Sequence, residues 1–199
     1  MDTLFSFLPP RACQAVVPRS QSKWGKILEK NHFWQIGTVV QLCLNGTERN
    51  KLEHLHDIGP VSLRPLSSSE VDLWLDLLLE CQLHSSDFPE LNKHLSRKSL
   101  QDLYLGKGIL GRWLIFFHQQ PVGVLAIAGP QLEYLGVLPE YRDRGIGQTI
   151  MRIIVDEPLN VSQLSVDGRN SSARHIYEKL GWEEMHERCD VFYRAHPLD

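Results

Sequence analysis

The segment Arg142-Asp143-Arg144-Gly145-Ile146-Gly147-Gln148 sets two guanidinium groups and two glycines between an apolar run and a helical one. Glycines at 145 and 147 let backbone N–H groups approach a ligand with no Cβ in the way. Ile146, Ile150, Met151, Ile153 and Ile154 follow at helical spacing, and the pattern ends before Pro158. Free N–H groups and the positive end of a helix dipole therefore meet at the glycines, a setting for a phosphate or pyrophosphate. Upstream, Leu132, Tyr134 and residues 135–138 have the character of a buried strand, while Pro139 lacks the N–H to continue a ladder. The strand edge near Val137 is thus forced open just before the anion-binding turn.

Three readings of this turn compete. A strand, turn and helix with incidental glycines needs no ligand. A dinucleotide-binding turn needs a third glycine where Ile150 stands, and a P-loop needs a lysine that Gln148-Thr149 does not supply. The third reading joins Arg142-x-x-Gly145-x-Gly147 to a second segment. There residues 161–166 alternate as a strand, Asp167-Gly168-Arg169-Asn170 turns, and Asn170 caps a helix over 171–180 that Gly181 ends. Ala173, Tyr177 and Leu180 share one face of that helix, so a small residue and a phenol look the same way. Alone, Tyr177 also fits a core tyrosine on an amphipathic helix. Taken in order, the two patterns resemble the acetyl-CoA signature of the GNAT superfamily of acyl-CoA N-acyltransferases.

The elements that must position these residues read as a strand at 61–66, helices at 69–83 and 90–105, and strands at 109–118, 122–128 and 132–138. A helix at 147–157, a strand at 159–166, the helix from Asn170, and strands at 182–187 and 191–195 complete the order. That order resembles the GNAT fold, an α/β (α+β) architecture. The resemblance implies a mixed, mostly antiparallel central sheet flanked by helices and splayed between its fourth and fifth strands. It covers residues 59–199 as an acyltransferase domain. Residues 1–58 form an N-terminal extension, a basic arm followed by the strand-like segment 33–44 that packs on the core.

The resemblance also implies roles. Leu135, Gly136 and Val137 would pair with the pantetheine arm of acetyl-CoA, the co-substrate. Arg142, Asp143, Arg144, Gly145, Ile146, Gly147 and Gln148 would hold its pyrophosphate, with Asn170 on the same donor side. Tyr177 is the expected general acid near the departing sulfur. A phenol of reference pKa ~10 donates uphill to a thiolate of ~8.5, so hydrogen-bonding the developing charge counts as much as transfer. Glu133 is the candidate base, sharing by alternation a face with Leu135 and Val137. Gln131 occupies the position where a carboxylate is commoner in the family, and a water chain or bulk solvent is the alternative. Transfer would run directly from acetyl-CoA to a primary amine, small molecule or protein, in a ternary complex. His84, Ser85, Ser86 and Asp87 in one loop and Glu184, His186, Glu187, Arg188 and Asp190 in the last hairpin face the acceptor. That exposed hairpin also offers a homodimer contact. A non-catalytic acyl-CoA sensor or interaction module, a thiol or carrier-protein acceptor, and a longer acyl chain remain alternatives.

Composition narrows the class. The 199 residues suit one domain with an added segment, and a net charge of −3 with a pI near 6.3 gives no footprint for nucleic acid. The four cysteines, Cys13, Cys43, Cys81 and Cys189, show no metal spacing and read as reduced thiols in a cytoplasmic protein, so no metal is expected. Pro9-Pro10 breaks the short apolar run near the N-terminus, against a secretory signal. No stretch approaches the roughly 18 apolar residues of a membrane span.

Overall fold

Strand and helix periodicities both appear where the chain buries two faces of one sheet. The computed structural model describes residues 13–44, 61–105, 111–155, 158–185 and 187–194. Among the described residues nine strands form the sheet: β1 (Cys13–Pro18), β2 (Trp34–Cys43), β3 (Val61–Pro65), β4 (Gly111–Phe117), β5 (Gln120–Ala128), β6 (Gln131–Val137), β7 (Gln163–Asp167), β8 (Glu183–Glu184) and β9 (Cys189–Arg194). Their spatial order is β1-β9-β2-β7-β6-β5-β4-β3, with β8 also on β2. All neighbours are antiparallel except β6 and β7.

Helices α2 (Val71–Leu83) and α4 (Arg97–Tyr104) cover one face, and α5 (Ile146–Val155) with α6 (Ser171–Lys179) the other. The alternation along β5 shows why. Val124 and Ala126 pack with Trp74, Leu78 and Leu100 on the first face, while Leu125 and Ile127 pack with Ile150, Ile154 and Leu180 on the second. A central strand buried on both faces needs apolar residues at every position. Trp74 is fully buried and donates its indole N–H to the Trp113 carbonyl at 3.0 Å.

The single helix expected over 90–105 is two, α3 (Pro89–Asn92) and α4. Pro89 opens the first, and a reciprocal capping box between Ser96 and Ser99 starts the second afresh. Strand β7 begins at Gln163 rather than 159, because Val161 spends its N–H on the Ile154 carbonyl of α5.

The largest departure lies at the C-terminal end of the sheet. Residues 182–195 do not make a hairpin: β8 pairs with Leu42 and Cys43, and β9 pairs with Trp34 to Val39, in the same direction along the same edge of β2. They act as one interrupted strand. Strand β2 lies between them and β7, so residues 13–44, which the sequence sets apart as part of an extension, supply an internal strand. Ile36, Val40, Leu42 and Leu44 are buried there. Helix α1 (Ser22–Lys30) and β1 continue the sheet's far end, where Val17, Leu28, Phe33 and Phe192 form a small core of their own. Of the first 30 residues, read as a basic arm, 13–18 form β1 and 22–30 form α1, while residues 1–12, residues 45–60 and His186 lie outside the described residues.

Candidate functional site

Strands β6 and β7 pair only at Gln131–Gln163 and Leu132–Leu164. Beyond that point they part, giving the splay expected between the fourth and fifth strands of the resemblance. Leu138 turns its N–H to Val122 of β5, so by alternation Leu135 and Val137 turn theirs to the open side. The gap widens into a cleft of about 610 Å³. Its walls come from the end of β6, the loop into α5 and the start of that helix, the first two turns of α6 and the loop after α2.

The loop into α5 is shaped by two left-handed residues, Asp143 at φ 58° and Gly145 at φ 75°. Gly145 is required by that backbone conformation. Gly147 is different: a Cβ built on it would meet nothing within 4 Å, so the open space over it belongs to the cleft. At the start of α5, Thr149 donates its N–H to the Gly145 carbonyl. It leaves the N–H groups of Ile146, Gly147 and Gln148 aimed out of the helix end. No acidic residue sits in that first turn to spend the dipole.

Arg142 behaves otherwise than its charge suggests. Its guanidinium donates to the carbonyls of Val137 (3.0 Å), His84 (2.7 Å) and Cys81 (3.5 Å). It ties the open end of β6 to the C-terminus of α2, a structural clamp at the cleft wall. Arg144 lies outside the lining, donating to the Glu140 carbonyl and stacking on Tyr141. Where a cationic rim was expected from both arginines, Arg142 is a clamp and Arg144 an exposed side chain.

Leu135, Gly136, Val137, Arg142, Asp143, Gly145, Ile146, Gly147, Gln148, Asn170 and Tyr177 all line the cleft. Glu133 does not. The register passes from Ala126–Tyr134 to Ile127–Leu132, which leaves Glu133 as the extra residue of a β-bulge. The bulge breaks the expected alternation: Leu132 joins Leu135 and Val137 on the α5 face, Tyr134 takes the α2 face, and Glu133 is exposed. Its charge is felt instead by Tyr104 of α4, whose phenol is pushed up to about 12, first by burial and then by Glu133.

Tyr177 sits in the cleft with its phenol held well above the usual value, by burial first and then by the nearby Asp87 carboxylate. It stays protonated and is a hydrogen-bond donor through the neutral range. Tyr134, which the strand pattern presents only as a buried aromatic, faces the same cleft from the α2 side. Its phenol is also raised by burial, with Cys81 next in effect. The Cys81 thiol, pushed up to about 12 by burial, is unreactive as a nucleophile.

The loop after α2 is stapled to the end of β7. Asp167 donates its N–H to Asp87 Oδ1 (3.1 Å), and Phe88 donates its N–H to Asp167 Oδ2 (3.0 Å). Arg169 bonds Asp167 through its side chain and backbone and reaches Glu90 with both terminal nitrogens, at 2.7 and 2.9 Å. Asn170 caps α6 by accepting from the Ala173 N–H and donates its side-chain N–H to Asp87 Oδ1 at 3.0 Å. Both ends of the Asn170 amide are thus engaged within the protein.

Asp167 is fully buried. Burial works to raise its carboxyl, but the bonds from the Arg169 side chain and backbone and from Phe88 N–H hold it below the usual range. A carboxyl lowered by folding adds stability above its unfolded pKa near 3.9, and that contribution fades as pH falls through the folded value. Asp167→Asn is expected to cost about 2 kcal/mol at pH 7 and less at pH 3, measured by urea unfolding at both.

Among the described residues no group of three or more His, Cys, Asp or Glu could hold a metal ion, and no helix is long and apolar enough to cross a membrane.

Comparison with known proteins agrees with this geometry. The profile of the acetyltransferase (GNAT) domain matches residues 110–184. A mycothiol acetyltransferase of Tsukamurella paurometabola is 34% identical over 79 residues, which cover 38% of this chain and 27% of that protein, so the match spans about a quarter of the relative. A conserved protein of unknown function from Staphylococcus epidermidis superposes with a TM-score of 0.65 at 18% identity, over 94% of this chain and 73% of its own. A GCN5-related N-acetyltransferase from Kribbella flavida gives 0.53 at 14% identity, over 91% and 67%. These likenesses show the fold, and residues 110–184 are the part of the chain that is similar to the acetyltransferase (GNAT) domain.

Proposed function

We propose that this domain moves an acetyl group from acetyl-CoA directly to a primary amine within a ternary complex. The observation that carries the reading is the open edge of β6 between the N-terminus of α5 and the Tyr177 phenol. The N–H groups of Ile146, Gly147 and Gln148 suit a pyrophosphate, and the bare face of Gly147 leaves it room. Leu135 and the N–H of Val137 suit the amides of an extended arm lying along the strand edge, a β-augmentation by ligand. The Val137 carbonyl is already taken by Arg142. An arm held this way brings the thioester to the splay, beside Tyr177.

Tyr177 then donates a hydrogen bond to sulfur as negative charge grows on it. With its phenol raised above the usual value, it stabilises the thiolate without giving up its proton outright. Direct attack needs no acyl-enzyme, which agrees with Cys81 being held as an inert thiol. Holding donor and acceptor together supplies most of the acceleration.

Release of CoA thiol from acetyl-CoA is the test, followed by absorbance with a panel of spermidine, lysine, an aminoglycoside and a peptide with a free N-terminus. Turnover with at least one amine, with acetylation on nitrogen by mass spectrometry, is the expected result. Binding of acetyl-CoA with no turnover would instead make the domain a sensor.

A further inference from the structure

The donor half of the cleft accounts for Tyr177 and the α5 turn but leaves a half-buried carboxylate, Asp87, without a task. We infer that Asp87 is the general base, its Oδ2 taking a proton from the ammonium of the acceptor, which is therefore a cationic amine. This rests on the amine reading above. Asp87 lines the cleft from the loop after α2, where it meets the N-cap of α6. Its Oδ1 is fixed by two donors, Asp167 N–H at 3.1 Å and Asn170 Nδ2 at 3.0 Å, and its own N–H is fixed by Ser85 Oγ at 3.1 Å. None of these bonds uses Oδ2. A carboxylate oriented through one oxygen and left with the other is what a base needs.

The surroundings tune it in the same direction. Burial is the main influence and raises the Asp87 carboxyl; the bonds from Asn170 and Asp167 and the charge of Arg169 pull the other way, and the Asp167 carboxylate raises it again. The remaining titratable and charged groups of the cleft wall are Tyr134 on β6, Tyr177 and His175 on α6, Cys81 on α2, and Tyr141, Arg142 and Asp143 before α5. Glu133, displaced by the bulge, is not among them. Asp87 bears on both phenols, raising Tyr177 and Tyr134, so the carboxylate lies near the donor and acceptor sides at once.

The step balances as follows. An N–H bond of the ammonium breaks, its proton going to Asp87 Oδ2 and its electron pair staying on nitrogen. That pair forms the C–N bond to the thioester carbon, and the C–S bond breaks with its pair on sulfur, where Tyr177 donates a hydrogen bond. The second proton of nitrogen ends on sulfur to give the CoA thiol, and Asp87 returns its proton to solvent.

Asp87→Asn is the least disruptive test, because an amide oxygen still accepts from Asp167 and Asn170 while the free oxygen becomes an NH₂. With the amine that wild type acetylates best, kcat/KM is expected to fall about a hundredfold, while acetyl-CoA affinity by calorimetry stays within about twofold, which also reports folding. The wild-type profile of kcat/KM should rise with pH through a limb above the ordinary carboxylate range. That limb should vanish in Asp87→Asn, persist in His175→Ala, and partly recover with the activity in Asp87→Glu. Wild-type turnover or an unchanged limb in Asp87→Asn overturns the assignment to Asp87 alone. So does loss of the limb in His175→Ala. A wild type that binds acetyl-CoA and acetylates no amine overturns the amine reading, and this inference with it.

Discussion

A chain cut to residues 59–199 is expected not to fold. The truncation looks harmless on the sequence, where 1–58 stands before the matched order of elements, but it removes β2 from the interior of the sheet. Four side chains of that segment, Ile36, Val40, Leu42 and Leu44, are buried, and each is worth roughly 1.5–3 kcal/mol. Their sum, on the order of 6–12 kcal/mol, matches the whole stability of a typical domain, about 5–15 kcal/mol. The loss is larger still because β7 and the β8–β9 edge would both keep unpaired backbone groups. The expected outcome is an insoluble product or one without a cooperative thermal transition by circular dichroism. A soluble, cooperatively unfolding 59–199 fragment would mean that β2 is an accessory strand. Adding residues 1–44 back as a separate peptide is expected to restore helix and sheet signal only when both pieces refold together.

Tyr177→Phe is expected to lower kcat by about 10²–10³ with acetyl-CoA affinity nearly unchanged. A donor aimed at developing charge in a water-poor site is worth that much when removed, and the phenyl ring keeps the packing of Tyr177 against Trp182, whose centroids lie 6.3 Å apart. The pattern across constants matters more than the size of the drop. Equal losses in kcat and kcat/KM mark an interaction made only in the transition state, whereas a rise in KM alone would mark simple binding. The half-buried phenol is raised rather than lowered, so no basic limb from Tyr177 should appear in the profile below about pH 10. Steady-state rates over pH 5–10 check both points. Wild-type kcat in the variant would leave Tyr177 as the core tyrosine its helix position also allows.

The parts of the site that were legible in the sequence are those set by local chemistry. Gly145 sits where the backbone is left-handed, Gly147 faces open space, Asn170 caps α6 and Pro139 ends the ladder, each a short-range signal. What was not legible depends on contacts far apart along the chain. The register shift at Glu133 arises from pairing with β5, and one extra residue reverses the faces on which alternation was counted. Arg142 reads as a ligand group, yet the nearby carbonyls of α2's end claim it. Asp87 reads as one more loop carboxylate, because its partners Asp167 and Asn170 come from the far side of the fold. The place of β2 was hidden for the same reason: an apolar, β-like segment says that it pairs, not with which edge.

Gly147 offers the most direct test of whether the open edge and the α5 turn hold acetyl-CoA. A side chain there meets nothing in the protein, and replacing a helical glycine gains up to about 1 kcal/mol. Gly147→Val should therefore leave the melting temperature unchanged or raised. In calorimetric titration with acetyl-CoA, wild type is expected to bind and Gly147→Val to bind at least tenfold more weakly, a loss of about 1.4 kcal/mol or more. Equal affinity in the two proteins would place the ligand elsewhere and contradict the account.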